Sequence, residues 1–314
     1  MPADSFLRLL QFSDGLFPAG GYAHSFGLET LGQSGRVQNA RDITAFLRAY
    51  LEGSAAPTDA VAVLCARKYA LADDLDACIR LDHYLDAFKS AAELRDASRQ
   101  MGRQTLRVLN ELAKIGDCHS ERAERTTEGR TPSDEESLFA AGAGHGPLIC
   151  HPERSDSAIE GSAFSVSRGV ASALAPEDLP SHANEHSRFD SCSHSPLATS
   201  HFLSRFASAV ESGVTPCNHS VVFGLAAAAN TWEPRETASA FLYSTSAMIV
   251  GVSLRLLPLG QLAGQRILAE AGSLIAVLSE TVLDKTEENM WSFTPELEIA
   301  AMRHESLDGR LFRS

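Results

Sequence analysis

The feature that most limits the fold is the spacing of apolar residues, which on both flanks of the chain repeats every three to four positions and nowhere every two. Ile43, Phe46, Leu47, Tyr50 and Leu51 fall at i, i+3, i+4, i+7 and i+8, giving one greasy face to a helix over residues 42–51. Pro57 and Thr58 are read as opening a further helix that runs to about residue 72. Cys78, Leu81, Leu85 and Phe88 mark the next, and residues 91–113 form a longer helix with Arg and Glu on its outer face. The same grammar returns beyond residue 200. Pro216 and Pro234 stand at helix starts, and Ile267, Leu268, Ala271, Leu274, Ile275 and Leu278 line one face. Leu257-Pro258-Leu259-Gly260 breaks two helices that otherwise almost run together. The predicted fold is all-α, a single bundle of about eight to ten helices.

Between these flanks the pattern stops. From residue 114 to residue 200 Ser, Gly, Pro, His and charged residues dominate, and the segment is expected to be a disordered, low-complexity insertion. CHSERAERTTEGR at residues 118–130 and CHPERSDSAIEGS at residues 150–162 form an internal repeat, yet neither copy has apolar surface to bury against a neighbour. The predicted organisation is therefore one helical domain supplied by residues 1–113 and 201–314, interrupted by residues 114–200.

Charge and cysteine usage restrict the partners. A net charge of −13 argues against nucleic acid, which needs a basic stripe, and suits a basic protein partner better. The first residues, MPADSFLRLLQFSD, lack the basic lead and long apolar core of a secretory signal, so a cytoplasmic protein is expected. The most membrane-like stretch, residues 240–259, carries Arg255 and several hydroxyls and is read as a buried helix rather than a span. Six scattered cysteines without CxxC spacing make no disulfide framework.

Motifs for catalysis are sparse. His182-Ala183-Asn184-Glu185-His186 matches the H-x-x-E-H pattern of some zinc peptidases, but no apolar periodicity supplies the helix that its geometry requires. Seven of the eleven histidines lie between His119 and His201, which reads either as weak adventitious binding of nickel or zinc or, the favoured reading, as flexible polar sequence without the fixed ligand geometry of an ordered site. No P-loop, no GxGxxG after a strand and no GxSxG elbow occurs, so neither a catalytic site, a metal site nor a cofactor is predicted.

Two ends of the chain are more distinctive. In FPAGGYAHSFGLE, Pro18, Gly20, Gly21 and Gly27 surround His24 and precede Glu29. His24 reads either as a contact to a ligand or partner or as a hydrogen-bonded structural histidine, with Ser25 as a candidate helix cap. In SFTPELEIAAMRHESLDGRLFRS, Arg303, His304, Arg310 and Arg313 alternate with apolar residues. This is either a cationic docking tail or an ordinary last helix with basic residues complementing its dipole.

With LLQFSDGLFPAGGYAHSFGLE near the start, MGRQTLRVL at 101–109, HSVVFGLAAAA at 219–229, FLYSTSAMIVGVSLRLLPLGQLAGQRIL at 241–268 and the final SFTPELEIAAMRHESLDGRLFRS, the chain resembles the UreF family of urease accessory proteins. The resemblance implies an all-α, non-enzymatic homodimer that sits between a UreD-type protein (UreH in some organisms) and a UreG-type GTPase on apo-urease during nickel insertion. It places the family's N-terminal block on Pro18, Gly20, Gly21, His24, Gly27 and Glu29 as partner-binding residues. It places the tail on residues 302–314, with Arg303, His304, Glu305, Arg310 and Arg313 as contacts to the UreD-type partner. The family pattern does not include an insertion after Leu112. Two rival readings stay open at this point: a zinc peptidase using His182, Glu185 and His186, and a helical interaction module unconnected with urease.

Overall fold

The computed structural model describes residues 3–15, 17–128 and 196–314. The His182-Glu185-His186 pattern lies outside them, as does most of the segment read as an insertion. The chain divides into one unit formed by Met1–Glu121 with Ser193–Ser314 and a second formed by Arg122–Cys192. Among the described residues the first unit is built from α1 (Ala3–Ser13), α2 (Leu28–Gln33), α3 (Ala40–Tyr50), α4 (Val61–Leu71), α5 (Leu75–Phe88), α6 (Ala92–Glu128), α7 (Pro196–Glu211), α8 (His219–Ala229), α9 (Pro234–Leu256), α10 (Gln261–Thr281) and α11 (Pro295–His304). No strand occurs among the described residues, so the fold is all-α as the periodicity predicts.

Where the helices meet follows from their side chains. The centre is α4 against α8, where Ala62, Val63, Ala66, Val222, Leu225 and Ala226 are all buried. Small side chains let the two backbones approach closely, and large ones fill the flanks. Phe12 of α1, Phe223 of α8 and Trp232 form an aromatic cluster with ring centroids 5.4 and 5.9 Å from the indole, and Trp232 Nε1 donates to the Ser5 carbonyl at 3.0 Å. That bond satisfies the one polar atom of the buried indole.

The sequence places a helix start at Pro57, and the structure corrects this. Residues Leu51–Ala60 are π-helical and join α3 to α4 without a break, with Pro57 inside. Proline in an α-helix interior deprives the carbonyl four residues back of its donor and clashes with it. Here that carbonyl belongs to Gly53, and it accepts instead from Phe293 N–H at 2.8 Å, while the Pro57 carbonyl accepts from Trp291 N–H at 3.4 Å. A Cβ on Gly53 would stand 2.8 Å from Thr294 Cγ2, so only glycine admits this strap. The segment 290–294 thus stands in for the hydrogen bonds that the wider register gives up.

Other boundaries also shift. Pro234 is the first residue of α9 as predicted, whereas Pro216 lies in the loop ahead of α8. α6 continues past residue 113 to Glu128, although Gly116, Asp117 and Thr126-Thr127 are weak helix formers. α9 and α10 are long and apolar enough to cross a membrane by composition, but 61% of the most apolar window of α9 is buried in the bundle. α10 carries exposed Arg266 and Glu270 and packs along α9.

Candidate functional site

The two distinctive ends of the sequence meet. Gly27 takes φ of 84° as the residue before α2, and a Cβ on it would lie 3.0 Å from Leu297 O and Ala301 N of α11. This left-handed, side-chain-free position lets α2 lie directly on α11. Glu29, in the first turn of α2, is then buried at 1% exposure beneath the residues that follow α11.

Glu29 and His304 organise the junction. Glu29 Oε1 accepts from Leu311 N–H at 2.7 Å, and Oε2 accepts from Phe312 N–H at 3.1 Å and from His304 Nε2 at 2.8 Å. The other ring nitrogen of His304, Nδ1, meets Glu93 Oε2 at 2.8 Å, and Glu93 Oε1 takes Arg310 Nη1 at 3.0 Å. Both ring nitrogens of His304 are thus within hydrogen-bond distance of a carboxylate oxygen. Arg310 meets this group from the more exposed side, at Glu93. Burial pushes the Glu29 carboxyl up, but the Leu311 amide, the His304 ring and the Phe312 amide outweigh it and hold the group below its ordinary value.

His24 closes the same junction from the other side. Its Nδ1 is 2.7 Å from Ser314 Oγ, Ser25 N–H donates to the Ser314 carbonyl, and Arg313 N–H donates to the Ala23 carbonyl at 2.8 Å. Arg255 lies over the Phe312 ring with its guanidinium carbon 4.6 Å from the centroid, and its Nη1 donates to the Tyr22 carbonyl at 2.8 Å. Burial, and then the nearby Arg313, push the His24 ring down to about 4, so it is neutral at physiological pH.

This geometry sorts the predicted partner-binding residues. Gly21, His24, Gly27, Glu29 and His304 are buried, and in this structure they are internal ties rather than surface contacts. Pro18, Arg303, Glu305, Arg310 and Arg313 are exposed, and Gly20, with φ of 83°, is partly so. Ser25 does not cap α2 with its side chain; its carbonyl accepts from Leu28 N–H at 3.0 Å.

Sequence reasoning missed Glu93, Arg255 and the buried Asp82. Asp82 Oδ2 accepts from Thr215 Oγ1 at 2.5 Å and Cys217 N–H at 2.6 Å, and Oδ1 accepts from Asn218 N–H and Nδ2, both at 2.9 Å. A signal existed: Asp82 follows Cys78 by four residues, within the apolar stripe of α5, where a charge needs buried partners.

The Glu29, Glu93 and His304 side chains of the site are engaged with one another and with the tail's backbone. Burial pushes the Cys65 thiol up to about 11 and that of Cys217 up to about 12, which leaves no thiolate for attack. His304 spends both ring nitrogens on carboxylates. Among the described residues no group of three or more His, Cys, Asp or Glu side chains is placed to hold a metal ion.

Comparison with known proteins finds relatives that match along nearly the whole chain. A UreF protein named as a urease accessory protein in Nostoc sp. is 24% identical over 311 residues, covering 98% of this chain and 96% of its own. That of Lachnoclostridium phytofermentans is 26% identical over 308 residues, covering 98% of each, and that of Paenarthrobacter aurescens is 24% identical over 314 residues, covering 100% of each. The UreF family model matches residues 37–176 and 185–272, and with a match of that extent this all-α chain belongs to the UreF family.

Proposed function

We propose that the chain is a non-enzymatic urease maturation factor that bridges a UreD/UreH-type protein and a UreG-type GTPase on apo-urease and so supports nickel insertion. It works in the cytoplasm as a homodimer, with residues 1–113 and 201–314 as one helical domain and residues 114–200 as an insertion. Membership of a family named for urease accessory work supports this reading. The observation that carries it is the junction of the two ends. There the chain gives four ionisable groups, Arg310 among them, to holding its tail and leaves Arg303, Glu305 and Arg313 along the exposed side. Arginines on a backbone that is already fixed lose little entropy on docking, which favours them as contacts to the UreD-type partner.

Co-purification tests the reading. The tagged chain should retain the UreD-type and UreG-type proteins of the same organism, and Arg303→Glu with Arg313→Glu should weaken retention of the UreD-type protein about tenfold or more. Retention of neither protein by the wild-type chain would sink the proposal.

A further inference from the structure

On the outer side of α6, Gln100, Arg103, Gln104 and Arg107 follow the i, i+3, i+4, i+7 spacing and share one face. That face forms one wall of a groove of about 480 Å³ whose other wall includes Gly20 and Tyr22. The groove's lining residues include no aspartate or glutamate, and the nearest acids along the two segments, Asp14, Asp96 and Glu111, lie beyond its ends in sequence. Some arginines elsewhere on the surface are neutralised, Arg36 by Glu296, Arg99 by Asp86, Arg205 by Asp73 and Arg235 by Glu280, whereas exposed Arg41, Arg80 and Arg266 have no ion pair among the described residues but do not line a groove together. Arg107 has no ion pair among the described residues, and Arg103 makes only a 3.4 Å bond to the Pro216 carbonyl. Like charges four residues apart on a helix weaken it, so the pair is a cost to the isolated fold. Tyr22 stands beside them 68% exposed, its backbone held by Arg255. Tyrosine and arginine are residue types that carry a large share of interface energy.

We infer that this groove docks an acidic segment of a partner protein, with Arg103 and Arg107 pairing to its carboxylates and Tyr22 packing against its stem. At physiological ionic strength the chain's remote negative charge is screened beyond about 8 Å, so the local cations decide what binds. The inference deepens the maturation-factor reading, since it assigns a second contact surface apart from the exposed tail.

The test uses the full chain and its Arg103→Glu/Arg107→Glu variant, with Arg266→Glu on exposed α10 as control and circular dichroism to verify folding. Two measurements run in parallel: fluorescence anisotropy of a labelled deca-glutamate peptide at low salt, and retention of the UreD-type and UreG-type proteins. Peptide affinity or retention of one partner should fall about tenfold or more in the double variant and not in the control. Peptide binding that depends on the groove, with neither partner retained by the wild type, would support the groove while removing the maturation reading. If the double variant matches the wild type in both measurements, the inference is overturned. So it is if a labelled deoxythymidine decamer binds the groove as tightly as the peptide.

Discussion

Asp82 and Glu29 are both buried carboxylates that fasten the N-terminal flank of the chain to the C-terminal one, yet their donors differ in kind. Asp82 is gripped by a hydroxyl, two backbone N–H groups and an amide, none of which titrates near neutrality. Glu29 is gripped by two backbone N–H groups and by His304, which shares its other side with Glu93 and Arg310. The first arrangement locks the loop ahead of α8 into the core. The second holds a peripheral segment through charges that lie closer to solvent, Arg310 being 41% exposed at its side chain. A carboxylate enclosed in the core therefore serves as a permanent joint here, and one that shares its partner with a half-exposed ion pair as a joint that can open locally.

The sharpest way to break the comparison is Asp82→Asn. The amide would turn an N–H₂ toward donors at 2.5–2.9 Å, and stability should fall by about 4 kcal/mol, seen as a lower urea midpoint with loss of global helicity. A loss below ~1 kcal/mol would show that Asp82 is no lock. Glu29→Gln should cost less, about 2 kcal/mol, and its damage should be local. Trypsin should then cleave after Arg310 and Arg313 well before the bundle unfolds; cleavage at the wild-type rate would remove the distinction between the two joints.

A smaller effect is expected from pH. Folded His24 is pushed down to about 4 while the unfolded residue titrates near 6.5, so between those values the unfolded chain binds more protons. Stability is thus complete above about 6.5 and is lost as pH falls toward about 4, and the buried His219 ring, pushed down to about 4 as well, adds in the same direction. Glu29 acts further into acid: its contribution is present above its ordinary value of 4.5 and is lost as pH falls through the lowered one. Melting temperatures should therefore decline by several degrees from pH 7 to about pH 5, with a shallower decline in His24→Gln. Equal slopes in the two proteins would contradict the burial of a neutral ring.

How much of this was legible in the sequence follows from the range of the forces involved. Apolar stripes are local, so α3, α5 and α10 were readable from their spacing, α9 from Pro234 and its long apolar run, and the Leu257–Gly260 break from its proline and glycine. Pro57 misled because what rescues it, the strap at residues 290–294, is remote in sequence and leaves no mark beside the proline. The junction of the two ends was half legible. Both blocks stood out in composition, but only the fold brings Glu29 and Glu93 to His304, and a histidine that bridges two carboxylates looks in sequence like one free to meet a partner. Asp82 could have been found, since a charge inside an apolar stripe announces buried donors.

The π-helical stretch between α3 and α4 also fixes angular register along the rod. Each residue of an α-helix advances the face by about 100°. Removing one residue from Leu51–Ala60 would restore ordinary winding, but it would swing Ala62, Val63 and Ala66 by a similar angle away from α8 while α3 kept its own seating. The widened turns thus phase one half of the rod against the other, and a one-residue change in that stretch is expected to disturb the centre of the bundle far more than it alters the chain's length.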